Sequence, residues 1–124
     1  MSFETDETSQ TAVKYGAAAR RWKRYVIETR LKIFVVRNKV KSLCLGTSDN
    51  LSEGGMGFYC PQALEIGERV DIELELPAAK FPVKLTGTVR SFVNEIYGVE
   101  FCAIGAKQKE EIARACKALS MFQG

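Results

Sequence analysis

The sequence predicts a mainly β domain: a six-stranded antiparallel barrel with a C-terminal α-helix and a flexible N-terminal tail. Three observations predict it. From about residue 29 to 102, apolar residues recur with period two in short runs, the mark of strands with one buried face. Clusters of Gly, Pro, Asn, Asp and Ser separate these runs at roughly even spacing, as hairpin turns do. Near residue 106 the period changes to that of a helix. Six strands in a chain of 124 residues hide their edges by closing on themselves, which gives a barrel.

The elements follow in order. Residues 1–19 have few large apolar groups and no periodicity, and read as a flexible tail. The domain proper spans 20–124. RRWKRYV, starting at Arg20, has no clean period. Leu31, Ile33 and Val35 then alternate with Lys32 and Phe34 as a first strand, and Arg37-Asn38-Lys39 is a polar break suited to a hairpin turn. Val40 to Gly46 is the second strand, and TSDNLSEGGMG reads as a loop. Gly57 to Cys60 is a short strand closed by Pro61. Val70, Ile72, Leu74 and Leu76 alternate with Asp71, Glu73 and Glu75, and Pro77 ends that run. Val83 to Val93 is the fifth strand, with Gly87 marking a bend or bulge, and Ile96 to Cys102 is the last. Ile112, Ala115, Cys116 and Leu119 form an i, i+3, i+4, i+7 stripe, which places a helix over about 106–121. Glu110 and Glu111 fall towards its start and Arg114 and Lys117 towards its end, in keeping with the helix dipole.

Composition narrows the function. The chain has no histidine, which excludes Ser-His-Asp and Cys-His chemistry, a His general base and any His-ligated metal. With no nucleophile paired to a base and no cofactor or metal motif, it does not read as an enzyme. Cys44, Cys60, Cys102 and Cys116 form no CxxC pair and read as reduced, mostly buried thiols. The acidic, polar start is no signal peptide, and no apolar run approaches a membrane span, so a cytoplasmic protein without membrane insertion is expected.

Charge is concentrated. The net charge is +3, yet nine Lys or Arg and one acid, Glu28, lie between Arg20 and Lys41. Such a field suits either an anionic partner or an ordinary solvated strand face. Two short patterns stand out within and after it. Arg20 and Arg24 have the spacing RxxxR, with Arg21, Trp22, Lys23 and Tyr25 interleaved. Asn50, Ser52 and Gly55 have the spacing NxSxxG. Each is weak by itself, and Asn, Ser and Gly are ordinary turn formers.

Taken in this order, with about 25 residues between them and barrel-like strands after them, the two patterns resemble the PilZ domain family. EIGERVDIELELP, LTGTVRSF and YGVEF resemble the later strands of that family, so the likeness covers about residues 20–120. The resemblance implies a PilZ-type barrel and a ligand, cyclic di-GMP, with no other cofactor. It assigns ligand contacts to Arg20 and Arg24, leaving open which meets base and which meets phosphate, and to Asn50, Ser52 and Gly55. Arg21 either adds a phosphate contact or is solvated. Gly55 supplies a positive φ or a close backbone approach. The family often has Asp where this chain has Asn50, which weakens the hold on the guanine edge. Trp22 and Tyr25 either stack on a base or anchor the segment to the barrel, anchoring being favoured, and Ala19 favours one ligand molecule over two. The implied role is a stand-alone receptor whose arginine segment orders on binding and which signals to a protein partner. Two alternatives stand beside it: a PilZ-like adaptor without ligand binding, and a small basic barrel for single-stranded nucleic acid, disfavoured if Phe34, Phe58, Phe92 and Phe101 belong to the core.

Overall fold

The structure, a computed structural model, describes residues 22–76 and 79–123; the predicted tail, Arg20 and Arg21 lie outside them. The described strands are β1 (Tyr25–Val26), β2 (Arg30–Arg37), β3 (Val40–Leu51), β4 (Gly55–Tyr59), β5 (Arg69–Leu74), β6 (Val83–Val93) and β7 (Ile96–Phe101), followed by helix α1 (Ala106–Gln123). All pairings are antiparallel. The order is β1-β3-β2-β5-β6-β7-β4, and β4 pairs back onto β3. Strands β2 to β7 thus form the expected closed six-stranded barrel, with β1 as an added strand on β3.

Period two places the core. Leu31, Ile33 and Val35 of β2, Val70, Ile72 and Leu74 of β5, and Val83, Leu85 and Val89 of β6 point inward and are buried. The β2–β3 and β6–β7 hairpins turn through Asn38-Lys39 and Asn94-Glu95, all four at positive φ, which matches the twist of the flanking strands. Phe58 fills the centre at 0% exposure, whereas Phe92 is 53% exposed and stacks on Tyr97 at 4.3 Å. Phe34 and Phe101 are half-buried, so only Phe58 of the four phenylalanines belongs fully to the core. Cys44, Cys60 and Cys116 are free and buried, and Cys102 is free and half-buried.

Several local expectations change. Strand β3 runs on through Thr47–Leu51, read above as loop, because β1 and β4 both pair with its polar end. A bulge between Ser48 and Asn50 accompanies that switch. The irregularity in β6 lies between Val89 and Ser91 rather than at Gly87. Gly87 instead makes room for a neighbour, since a Cβ there would sit 2.1 Å from Val99 Cγ1. The helix has no acid in its first turn and no base in its last, so the dipole reading fails. Its start is satisfied by Gln108, whose Oε1 accepts from Gly105 N–H at 3.1 Å, one arm of a capping box.

At the end of the barrel that holds the β2–β3 turn, Arg37 ties β2 to the segment leading into β5. Its Nε and Nη2 donate to the two carboxylate oxygens of Glu68, both at 2.6 Å, and Nη2 also donates to Ala63 O at 2.9 Å. The guanidinium holds the Glu68 carboxyl below its ordinary pKa, and Glu68 raises that of Arg37.

Candidate functional site

The opposite end of the barrel gathers the motif residues. β1 pairs Tyr25 with Leu51 and Val26 with Asn50. The chain that has just left the RxxxR segment is therefore held in register beside the start of NxSxxG. A two-residue strand cannot hold by ladder bonds alone, and three further devices secure it.

The first is Ser48, which is buried. Its Oγ accepts from Thr29 N–H at 2.9 Å and donates to Ile27 O at 2.8 Å. These bonds satisfy backbone groups in the gap between β1 and β2, where the ladder is interrupted. The second is Gln123 at the end of α1. Its side-chain amide donates to Val26 O and accepts from Val26 N–H, both at 2.6 Å, and so acts as one more strand partner along the edge of β1. The third is Trp22. A Cβ on Gly54 would lie 2.3 Å from Trp22 Cδ1 and 2.7 Å from Nε1, so the indole rests on the Ser52–Gly55 turn. This is the anchoring role. Lys23 Nζ lies 5.7 Å from the centre of the Tyr25 ring, within reach of a cation–π contact.

The NxSxxG residues divide by role. Ser52 is buried and its hydroxyl is engaged by the turn itself: Oγ accepts from Gly54 and Gly55 N–H at 3.3 and 3.1 Å and donates to Gly55 O at 3.2 Å. Gly55 stands at a close approach, because a Cβ would be 2.2 Å from Val99 O on β7. Its φ is not positive; among the described glycines only Gly67 has that conformation. Asn50 is half-buried on the outer face. Its Nδ2 donates to Asp49 Oδ2 at 2.8 Å, and its amide lies over Gly57, where a Cβ would meet Nδ2 at 2.6 Å. Arg24 is exposed one residue before β1. Beneath the turn lies α1: the Cys116 thiol is pushed up to about 11, first by burial and then by the Glu53 carboxylate.

The structure thus brings Arg24, Asn50, Ser52 and Gly55 to one corner. Sequence reasoning missed Ser48 and Gln123. Ser48 is a buried polar residue on a strand, a type that requires partners, but only the structure shows that the partners are the interrupted backbone. Gln123 carries no sequence signal, since its role depends on where the helix ends. Among the described residues, no group of three or more His, Cys, Asp or Glu could hold a metal ion, and no helix is long and apolar enough to cross a membrane.

A closed six-stranded barrel with an added edge strand, a turn over one mouth and a helix beneath that turn defines a small antiparallel β-barrel domain. A PilZ domain family model matches residues 18–118, and the chain belongs to that family. No curated protein sequence matches significantly. Among solved structures, the chain is similar to the inhibitor of motility MotI/DgrA of Bacillus subtilis, with TM-score 0.63 and 18% identity over 83% of this chain and 52% of the other. It therefore spans about half of that protein. It is also similar to the PilZ domain of CeSA from a cellulose-synthesizing bacterium, with TM-score 0.59 and 14% identity, covering 82% and 99% of the two chains. The PilZ domain of YcgR from Escherichia coli, solved with c-di-GMP, gives TM-score 0.63 and 16% identity, covering 84% and 93%. At these identities the likenesses establish the fold.

Proposed function

We propose that the chain is a cyclic di-GMP receptor that closes its Arg20–Arg24 segment over the Asn50–Gly55 corner and signals through a protein partner. The observation that carries this reading is the β1–β3 register, which sets the end of the arginine segment beside Asn50. Membership of the PilZ family supports it, as does the c-di-GMP complex of the YcgR domain.

The chemistry fits a doubly anionic guanine dinucleotide. A guanidinium pairs bidentately with the O6 and N7 acceptors of guanine or with phosphate oxygens. Arg20 and Arg24 supply two such groups, and Arg21 adds positive charge. The other guanine edge offers N1–H and N2–H₂, for which the Asn50 carbonyl is an acceptor. Ser52 and Gly55 shape the turn that presents this edge, and Trp22 fixes where the segment starts its path across it. In this reading the domain binds its ligand and passes the signal on.

Calorimetric titration with cyclic di-GMP tests the reading. Wild-type protein is expected to bind, and Arg20→Ala and Arg24→Ala each to weaken binding at least tenfold. No heat with wild-type protein, or equal affinity in both variants, would overturn it. Salt-dependent binding of unrelated oligonucleotides at equal affinity would favour a nucleic-acid barrel.

A further inference from the structure

Away from the ligand corner, β3 has an open edge. Its pairing with β2 starts at a two-residue turn, with Arg37 opposite Val40. Alternation then directs the N–H and C=O groups of Val40, Ser42, Cys44 and Gly46 towards β2. Those of Lys41, Leu43, Leu45 and Thr47 face the other edge. Only Thr47 meets a strand there, pairing with Tyr59 of β4. Pro61, two residues on, has no N–H to donate, and β4 stops at Tyr59. Among the described residues no backbone hydrogen bond from another strand is present for Lys41, Leu43 or Leu45 on this edge, and the Leu45 carbonyl accepts only from Cys44 Sγ at 3.7 Å. Their side chains lie on the outer face, and Leu43 and Leu45 are 53% and 64% exposed.

We propose that this edge is a docking site for a partner protein's extended segment, which adds antiparallel to β3. The segment presents apolar side chains beside Leu45 and Leu43 and a carboxylate beside Lys41. Ladder groups without a strand partner at alternate residues specify a strand as the occupant. Charge specifies its sign: Lys41 stands on the edge, its Nζ 4.8 Å from the Phe34 ring centre, and Lys39 flanks it in the turn. A second copy of this chain fits poorly. Self-pairing about Leu43 sets each Lys41 beside a Leu45 with no counter-charge. An edge lysine is itself a device against self-pairing. The inference deepens the proposed signalling through a protein partner by naming the surface, but the edge exists whether or not a dinucleotide binds.

The test uses a capped peptide, TVTVTET, titrated into the whole 124-residue chain with and without cyclic di-GMP and followed by amide NMR and hydrogen exchange. Exchange is expected to slow at Lys41, Leu43 and Leu45 but not at Ser42 and Cys44, which already face β2. Replacing the peptide's Glu by Lys, or Leu43→Lys in the protein, is expected to weaken binding at least tenfold. No change at these three amides, or an undiminished effect with the Lys peptide, would overturn the proposal. So would slowing that depends on protein concentration without peptide, which would mean self-pairing. Ligand binding is read separately by calorimetry, so loss of one result leaves the other standing.

Discussion

Adjacent glycines in the Ser52–Gly55 turn answer to different neighbours, and alanine at each should separate stability from docking of the arginine segment. At Gly55 the new Cβ would lie 2.2 Å from Val99 O, with Glu100 Cα at 3.4 Å. The obstacle is backbone of β7, so β4 and β7 must part by about 1 Å, through a pairing that runs from Gly55↔Glu100 to Phe58↔Tyr97. Overpacking of this kind costs about 2–4 kcal/mol, or a fall in Tm of roughly 8–16 °C for a domain of this size. At Gly54 the obstacle is the Trp22 indole, 2.3 Å away, a side chain 45% exposed that can swing into water. Gly54→Ala should therefore cost under about 1 kcal/mol while freeing the segment. Trp22 is the single tryptophan of the chain, so its emission reports that release directly. Thermal melts by circular dichroism should rank Gly55→Ala far below Gly54→Ala and wild type. Fluorescence of folded protein should show a red shift in Gly54→Ala. A Gly55→Ala melt within 2–3 °C of wild type, or unchanged emission in Gly54→Ala, would refute the reasoning from close approach.

Ser48→Ala leaves Thr29 N–H and Ile27 O without their partner and should destabilise by about 1–3 kcal/mol in denaturant titration, with faster exchange of the Thr29 amide. Gln123→Ala should leave the melting midpoint within a few degrees of wild type but speed exchange of the Val26 amide, because it removes the two bonds that α1 makes to β1. The Glu68 carboxyl is depressed by Arg37, so its contribution is present above the unfolded carboxylate pKa and is lost as pH falls through the lower folded value. The stability gap between wild type and Glu68→Gln should hold from pH 7 to pH 5 and close below about pH 4, as read by melts across pH. Cys60 is pushed up to about 12, chiefly by burial and then by Cys44, and so should stay protonated and slow to alkylate at pH 8. Half-buried Cys102 should react first, checked by mass spectrometry of partially labelled protein.

Most of the barrel was legible because period two reports burial directly. β6 was placed at Val83–Val93, and the helix stripe predicted the buried pair Ile112 and Cys116. What escaped was built on polar residues. Thr47 to Leu51 looks like a loop by apolarity, yet Ser48 is an inward-facing strand residue whose hydroxyl replaces missing ladder bonds. Tyr25–Val26 is too short to show a period, and its strand conformation depends on partners that arrive 24 residues or more later in the chain, Asn50 and Leu51. The motif itself was visible as residue types, but its division of labour was not. That Gly55 serves a close approach and that the Ser52 hydroxyl is engaged within the turn are facts of geometry.

The distance along the chain between the two motif halves follows from the same geometry. From β1, the chain runs out along β2, reverses through Asn38-Lys39 and returns along β3, whose 12 residues exceed the 8 of β2. The excess carries β3 past β2 and alongside β1, so the return strand ends where the arginine segment enters. On one edge β1 sets Val26 opposite Asn50, and on the other the bulge between Ser48 and Asn50 sets Asn50 opposite Gly57 of β4. With Asp49 as the extra residue, Ser48 faces inward opposite Phe58 while Asn50 stands on the outer face opposite Gly57. The Asn50 amide offers the guanine edge one acceptor oxygen where a carboxylate would offer two, so Asn50→Asp should tighten cyclic di-GMP binding in calorimetry. Spacing and bulge thus fix where the amide stands, and Asn50→Ala, which removes the acceptor without moving the bulge, should weaken cyclic di-GMP binding in calorimetry; unchanged affinity would refute the assignment.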